Sequence, residues 1–82
     1  SIQITMSQEN NQLNILVKDS GKGIPNNQWR KVFQPGFTTK KRGWGIGLSL
    51  SKRIIEQYHN GQLFVQSSEL GKGTVFCIQL PL

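Results

Sequence analysis

Three glycines stand at alternate positions in the stretch KKRGWGIGLSLSKRI, which covers residues 40–54. They are Gly43, Gly45 and Gly47, and the residues that follow have the period of a helix. The first turn of a helix presents N–H groups without intrahelical partners and a partial positive charge, so it attracts phosphate. Glycines just before such a helix let the backbone approach an anion without side-chain obstruction. The spacing predicts a phosphate-binding loop, although a flexible loop or a close helix–sheet contact would use the same glycines.

The charge of the chain is concentrated near these glycines. Ten Lys or Arg against four Asp or Glu give a formal net charge of +6, and five of the ten basic residues lie in residues 40–53. We expect Lys40, Lys41 and Arg42 to add positive charge beside bound phosphates. A basic surface that serves only solubility is the alternative.

A second candidate is the segment DSGKGI, residues 19–24, at the end of a predicted strand. Asp favours turns and Gly relieves steric restrictions, so a plain turn is one interpretation of Asp19, Gly21 and Gly23. The other is that the Asp19 carboxylate is a fixed hydrogen-bond acceptor in a pocket wall. Such an acceptor suits an exocyclic amine such as that of adenine.

Several kinds of site are excluded by the sequence. No G-x-x-x-x-G-K-[ST] run occurs, so the chain has no P-loop. A basic loop rather than a strand leads into the glycines, which excludes a dinucleotide fingerprint. Cys77 is the only cysteine, so no internal disulfide is possible and no metal cluster is suggested. No membrane-spanning run or signal peptide is visible, and we expect a cytoplasmic setting.

The strand pattern predicts the fold class. Residues 1–8 and 13–19 alternate apolar and polar side chains around an Asn-rich turn, which indicates a β-hairpin. Residues 61–68 and 73–82 indicate a second pair of strands. A hydrophobic content of 35% and a charged content of 17% are typical of a globular chain, and 82 residues allow one small domain. We predict an α+β fold, a two-layer α/β sandwich with a mixed, mostly antiparallel sheet.

Two helices are predicted between the strand pairs. Residues 26–34 indicate a short helix with Asn26 or Asn27 as its N-cap and with Trp29, Val32 and Phe33 on its apolar face. Residues 46–58 indicate a longer helix. Its apolar stripe contains Leu50, Ile54 and Tyr58, flanked by Leu48 and Ile55. Asn60 and Gly61 end this helix, since either tolerates the left-handed conformation.

Four motifs follow one another at close spacing: VKDSGKGIP, VFQPGFTTK, GWGIGLSLSKRIIEQYHNG and GKGTVFCIQLP. Together they resemble the ATP-binding catalytic domain of sensor histidine kinases, of the same ATPase superfamily as gyrase and the MutL repair proteins. The resemblance covers residues 13–82. The family's G1 box corresponds to Asp19, Gly21 and Gly23, its F box to Phe33 and Phe37, and its G2 box to Gly43, Gly45, Gly47 and Leu48.

The resemblance implies a role for each ATP-binding residue. Asp19 would accept a hydrogen bond from the adenine amino group, Gly21 and Gly23 would shape the turn beside the base, and Thr74 would lie near adenine. Residues 40–44, which include Lys40, Lys41, Arg42 and Gly43, would form a short lid over the triphosphate. Gly45, Gly47 and the amide of Leu48 would hold phosphate oxygens. His59 matches a His that often ends this helix in the family, so no catalytic residue is expected here.

One family motif is missing from the chain. In the family, a helix before the first hairpin carries the N box, whose Asn binds Mg²⁺ and whose acidic neighbour supports proton transfer. This chain starts without Met, after that helix, so we expect residues 1–82 to be a partial domain of a longer protein. The cofactor would be ATP, with Mg²⁺ in the parent only, and the chain alone would be inactive because phosphoryl transfer depends on metal-assisted charge neutralisation. The missing helix would leave apolar surface exposed, which predicts self-association.

The function implied is therefore that of a two-component sensor histidine kinase. The parent, with or without a membrane anchor, would phosphorylate a His on its own dimerisation domain and pass the phosphoryl group to a response regulator. ATP or ADP, and not nucleic acid, is the expected ligand. The alternatives are a related superfamily ATPase or serine kinase, a basic nucleic-acid-binding module that uses residues 40–53 and both tryptophans, and a chain in which the glycines serve only architecture.

Overall fold

The computed structural model describes residues 2–34 and 44–82, with the side chains of the first α-helix described from residue 48 onward. In this part of the chain one sheet contains β1 (Ile2–Glu9), β2 (Gln12–Asp19), β3 (Gln62–Glu69) and β4 (Gly73–Pro81). The strand order is β1-β2-β4-β3, and all neighbours are antiparallel. The helix α1 (Trp44–Arg53) continues as a π-helical turn, Ile54–Tyr58. The predicted two-layer α+β fold is confirmed.

The first hairpin has the turn that its sequence predicts. Asn10 and Asn11 have φ angles of 50° and 64°, the pair of positive values that a type I′ turn requires. Asn adopts this conformation more readily than most residues because its short side chain bonds locally. The turn places Glu9 opposite Gln12 and thereby sets the register of β1 against β2.

One face of the sheet carries the hydrophobic core. Side chains alternate between the two faces of a strand, so the cross-strand pairs Ile15–Ile78 and Val17–Phe76 lie on the same face. Leu63 and Val65 of β3 oppose Ile78 and Phe76 and therefore share that face. The buried cluster consists of Val32, Phe33, Leu63 and Val65, and Leu48 and Ile55 of the helical layer pack against it.

The segment 26–34 forms two 3₁₀ turns, Asn26–Gln28 and Lys31–Phe33, rather than the single short helix predicted. The prediction of an Asn cap was also wrong, because Pro25 occupies the N-cap position and no side chain caps the turn. The Pro25 carbonyl accepts the Gln28 amide at 2.8 Å. A hydrogen bond between residues i and i+3 is the mark of a 3₁₀ helix, and such helices rarely exceed three or four residues.

The predicted apolar face of this segment is confirmed. Val32 and Phe33 are buried, with exposed fractions of 4% and 7%, and Trp29 is half-buried beside them. The Phe33 and Phe76 rings meet edge to face with centroids 6.2 Å apart, a favoured arrangement of aromatic pairs. Packing onto the sheet thus holds this segment in place without a regular helix.

The first α-helix begins earlier than predicted. It starts at Trp44 rather than at residue 46, so Gly45 as well as Gly47 lies inside its first turn. Glycine costs only about 1 kcal/mol relative to alanine in a helix, which packing of the following apolar residues can offset. At the other end Asn60 has a φ of 55°, and the Gly61 amide donates to the Ile55 carbonyl at 2.9 Å. The predicted termination at these two residues is confirmed.

The predicted apolar stripe of the long helix does not all face the core. Leu48 and Ile55 contact the buried cluster, whereas Leu50, Ile54 and Tyr58 are 50%, 39% and 69% exposed. The core face of β1 is also open to solvent, and its exposed apolar side chains are Ile2, Ile4 and Met6. The expectation that this chain exposes apolar surface is therefore confirmed.

Candidate functional site

Two predicted site residues from distant parts of the sequence are neighbours in the sheet. Asp19, the last residue of β2, lies directly opposite Thr74, the second residue of β4. Opposed residues of antiparallel strands have Cβ atoms about 4.5–5.5 Å apart. By strand alternation both side chains lie on the core face of the sheet. Asp19 is half-buried and Thr74 is only 4% exposed.

The Asp19 carboxylate is held by its own turn. The Gly21 amide donates to Asp19 Oδ1 at 2.9 Å, the pattern of an Asx-turn. An ionised carboxylate has about four lone-pair sites, so this bond leaves acceptor capacity for a ligand. The turn interpretation and the acceptor interpretation of DSGKGI are therefore compatible, because the turn fixes the direction of the acceptor.

The loop of residues 19–24 is bonded to the turn between β3 and β4. The Gly71 amide donates to the Lys22 carbonyl at 2.7 Å, and the Ile24 amide donates to Ser68 Oγ at 2.6 Å. The Ile24 carbonyl in turn accepts the Trp29 indole N–H at 2.9 Å. These bonds fix both sides of the loop and thus the position of Asp19 at its start.

Two glycines let these backbones approach each other. Gly23 has a φ of 87°, and a Cβ atom there would overlap the Glu69 carbonyl. Gly73 has a φ of 127°, and its Cβ would overlap the Asp19 carbonyl. L-residues with a side chain rarely adopt such φ angles. Of these two glycines, only Gly23 was predicted from the sequence as a site residue.

Ser68 is a residue of this site that the sequence analysis missed. Strict alternation from Val65 would place Ser67, not Ser68, on the core face. A β-bulge between Val65 and Ser67 shifts the register, so that Ser67 opposes Val75 and Ser68 opposes Thr74. Bulges commonly re-aim side chains in this way. Ser68 Oγ consequently lies 2.8 Å from Thr74 Oγ1.

The predicted phosphate-binding residues are described only in part. Lys40, Lys41, Arg42, Gly43 and Phe37 lie outside the described residues. Gly45 lies in the first turn of α1, whose first N–H groups lack intrahelical acceptors. Gly47 and Leu48 follow in the same helix, and the roles predicted for Gly45, Gly47 and the Leu48 amide stay predictions.

Lys52, one of the five clustered basic residues, has structural partners. Its ammonium bonds Glu56 Oε2 at 2.9 Å and the Leu63 carbonyl at 2.8 Å, and it lies 4.9 Å from the centre of the Phe33 ring. The bond from Lys52, aided by the Leu63 amide, lowers the pKa of Glu56. Lys52 therefore joins the helix to β3 and is not available as a phosphate ligand.

Two clefts lie on the described surface. One, of about 490 Å³, is lined by Lys52, Glu56 and residues 61–64. The other, of about 310 Å³, lies between Trp29, Phe33, Phe64 and their neighbours. Phe33 of the predicted F box lines the second cleft, and Asp19, Gly21, Gly23 and Thr74 line neither.

Metal binding and catalysis by a cysteine thiol have little support in residues 2–34 and 44–82. They contain no group of three or more His, Cys, Asp or Glu side chains that could hold a metal ion. Cys77 is buried, and burial raises the pKa of its thiol, which makes it a poor nucleophile. His59 is exposed at the end of the π-helical turn. No described helix has the length and hydropathy needed to cross a membrane.

Comparisons with known proteins agree with this geometry. A family model described as histidine kinase-, DNA gyrase B- and HSP90-like ATPase matches residues 1–82. The sensor histidine kinase ZraS of Escherichia coli (strain K12) is 44% identical over 81 residues, which is 99% of this chain and 17% of ZraS. Sporulation kinase E of Bacillus subtilis (strain 168) is 47% identical over 68 residues, which is 83% of this chain and 9% of that kinase.

Solved structures give the same result. The catalytic domain of histidine kinase ThkA superposes with a TM-score of 0.81 at 36% identity, covering 98% of this chain and 51% of the ThkA chain. A structure of ThkA in complex with the response regulator protein TrrA gives a TM-score of 0.77 at 34% identity, covering 98% of this chain and 22% of that one. A nucleic-acid-binding module is not favoured by any of these likenesses. The chain belongs to the histidine kinase-, DNA gyrase B- and HSP90-like ATPase family, and within that family it is similar to ZraS and to the catalytic domain of ThkA.

Proposed function

We propose that this chain forms the adenine-binding wall of the ATPase domain. The observation that carries the proposal is the cross-strand pair of Asp19 and Thr74, two polar side chains on the core face of the sheet. Asp19 accepts a hydrogen bond from the exocyclic amine of adenine, and Gly21 and Gly23 shape the loop that holds its carboxylate. Thr74 lies beside the same edge of the base.

The phosphate end of the site is proposed from the position of α1. Gly45 and Gly47, in its first turn, leave the backbone open to phosphate oxygens at the positive end of the helix. We propose that residues 40–44 form a lid over the triphosphate, to which Lys40, Lys41 and Arg42 add positive charge and of which Gly43 is a part. The amide of Leu48, the residue after Gly47 in α1, is proposed as a further phosphate donor.

The activity of the whole protein is also a proposal, because the chain spans 9% and 17% of the lengths of the relatives described above. The parent transfers the γ-phosphoryl group of ATP to a His on its own dimerisation domain. A response regulator then receives the phosphoryl group, in keeping with the solved complex of ThkA with TrrA. ATP supplies the phosphoryl group when it is bound.

Magnesium is proposed for the parent and not for this chain alone. The described residues contain no group of three His, Cys, Asp or Glu side chains that could hold a metal ion. These residues therefore do not supply the ligands of a Mg²⁺ site. We propose that residues 1–82 are one partial domain that is inactive in isolation. The parent holds this domain in the cytoplasm, where a lone thiol such as Cys77 stays reduced.

Self-association of the chain is proposed from the edge strand β1. Its outer edge has no strand beside it in the described sheet, and its core face exposes Ile2, Ile4 and Met6. Free edges of this kind template pairing with another chain. A second copy in antiparallel, two-fold pairing places the same apolar side chains on one continuous face.

Calorimetric titration with ADP, with and without Mg²⁺, tests the nucleotide proposal. We expect binding to the unmutated chain and a loss of about tenfold or more in Asp19→Asn, which corresponds to 1.4 kcal/mol or more. Glu9→Gln is the matched control, because it removes a carboxylate at the opposite end of the same hairpin. Equal affinity of Asp19→Asn and Glu9→Gln would refute the role of Asp19. No binding to the unmutated chain would show that this chain does not form the site alone.

A further inference from the structure

Ser68 occupies the centre of a hydrogen-bond network that joins the adenine-binding wall to the loop of residues 19–24. Its Oγ atom is 2.6 Å from the Ile24 amide nitrogen, 3.0 Å from the Gly73 carbonyl oxygen and 2.8 Å from Thr74 Oγ1. Ile24 is separated from Ser68 by 44 positions in the sequence. One hydroxyl thus links the loop that carries Asp19 to the strand that carries Thr74.

We propose that Ser68 is a positioning residue for nucleotide recognition, which orients the Thr74 hydroxyl and clamps the 19–24 loop. The inference rests on the proposed adenine-binding function and names a residue that sets its specificity. Ser68 acts through Thr74 and Ile24 and does not itself contact the base.

The donors and acceptors around Ser68 determine the orientation of the Thr74 hydroxyl. A serine hydroxyl has one hydrogen to donate and two lone pairs. The Ile24 amide can only donate, so it uses one lone pair, and the Gly73 carbonyl can only accept, so it takes the hydrogen. All three contacts are satisfied together only if Thr74 donates its hydrogen to the remaining lone pair of Ser68.

This orientation gives the wall a preference among bases. With its hydrogen directed at Ser68, Thr74 offers only lone pairs to a ligand, beside the lone pairs of the Asp19 carboxylate. Two acceptors side by side suit an exocyclic amine, as in adenine, and disfavour a carbonyl at the same position, as in hypoxanthine. A site built for one hydrogen-bond pattern rejects the other because its buried groups are left unpaired.

Removal of the Ser68 hydroxyl should therefore weaken discrimination. In Ser68→Ala the Thr74 hydroxyl is released and can donate to a carbonyl, so inosine diphosphate becomes a better ligand relative to ADP. The Ile24 amide loses its acceptor at the same time. Ser67 provides a matched control, since it is the adjacent serine, opposes Val75 and is exposed.

The first test is amide hydrogen exchange on the nucleotide-free chain. We expect Ser68→Ala to speed exchange of the Ile24 amide about tenfold or more, the effect of losing roughly 1.4 kcal/mol of protection, whereas Ser67→Ala leaves it unchanged. Equal exchange rates in the two variants would overturn the clamp. This result does not depend on nucleotide binding, so it is separable from a failure of the proposed function.

The second test is titration of the same variants with ADP and with inosine diphosphate. We expect the ratio of the two affinities to fall about tenfold in Ser68→Ala, corresponding to 1.4 kcal/mol, and to be retained in Ser68→Thr, which keeps the hydroxyl. If the role of Ser68 were purely structural, Ser68→Ala would lower the affinities for ADP and inosine diphosphate by the same factor. That outcome would overturn the proposal. If Ser68→Ala does not fold, Thr74→Val replaces it. An unchanged ratio in Thr74→Val would likewise overturn the proposal.

Discussion

The contact of the 19–24 loop with the β3–β4 turn gives the sharpest stability prediction. Gly23 and Gly71 have nearly the same backbone conformation, with φ angles of 87° and 82°. A Cβ at Gly23 would overlap the Glu69 carbonyl oxygen and lie 2.8 Å from its carbon, whereas a Cβ at Gly71 would meet nothing within 4 Å. Alanine at either position therefore suffers the same backbone strain, but only Gly23→Ala forces two backbones apart.

The magnitude follows from these two costs. Left-handed backbone costs an L-residue about 1–2 kcal/mol, and the smaller entropy of the unfolded alanine chain offsets about 0.4–1 kcal/mol of that. Gly71→Ala should therefore lower the free energy of unfolding by about 1 kcal/mol. In Gly23→Ala the separation also strains the bonds from Gly71 to Lys22 and from Ile24 to Ser68, each with a net contribution of about 0.5–1.5 kcal/mol. We expect a total loss of about 2–4 kcal/mol for Gly23→Ala.

Urea unfolding of the two variants measures this difference directly. For small proteins the free energy of unfolding changes by about 1–3 kcal/mol per molar urea, so the extra loss in Gly23→Ala shifts the midpoint measurably below that of Gly71→Ala. The reasoning is refuted if the two alanine variants agree within about 0.5 kcal/mol. That result would mean that the loop and the turn do not pack closely in solution.

Three further predictions concern the core, an ion pair and the edge strand. Leu63→Ala, at a position 4% exposed, should lower the free energy of unfolding by about 2–5 kcal/mol, while Leu70→Ala, at a position 66% exposed, should leave it nearly unchanged in the same urea assay. The pKa of Glu56 is lowered by Lys52, so its stabilisation is present above the ordinary glutamate pKa and is lost as the pH falls through the folded value. Glu56→Gln should therefore flatten the pH dependence of unfolding below about pH 4, and an unaltered profile would contradict the assignment. Ile4→Lys should shift the chain toward monomer in light scattering coupled to size exclusion, and a compact monomer before mutation would contradict self-association.

Local patterns in the sequence predicted most of the elements. The alternation in residues 1–8 and 13–19 and the Asn-rich turn predicted the first hairpin, and its register follows from the turn that Asn10 and Asn11 form. The end of the long helix was also predicted correctly, because Asn60 tolerates the left-handed conformation. Alternation along a strand and the turn preference of Asn depend only on neighbouring residues, so both can be recognised in the sequence without the tertiary structure.

The errors occurred where packing outweighed local preference. The 26–34 segment forms two 3₁₀ turns instead of one helix, and Val32 and Phe33 of the second turn, with Trp29 just before it, pack in the core. The helical stripe of Leu50, Ile54 and Tyr58 has the right period, yet Leu48 and Ile55 are the residues that contact the core. Periodicity identifies an apolar stripe but does not say which part of it the sheet covers.

The sequence by itself determined the order of the elements, the family and the residue types of the proposed nucleotide site. Four motifs in order and at close spacing predicted an ATP-binding domain through their resemblance to a known family, and among them are Asp19 with its two glycines and the later glycine motif. Only the tertiary structure decided that Asp19 lies opposite Thr74 and that Ser68, rather than Ser67, bonds both Thr74 and the Ile24 amide of the 19–24 loop. The cause is a single bulge in β3, whose effect depends on pairing with β4, and strand register is not encoded in either strand alone.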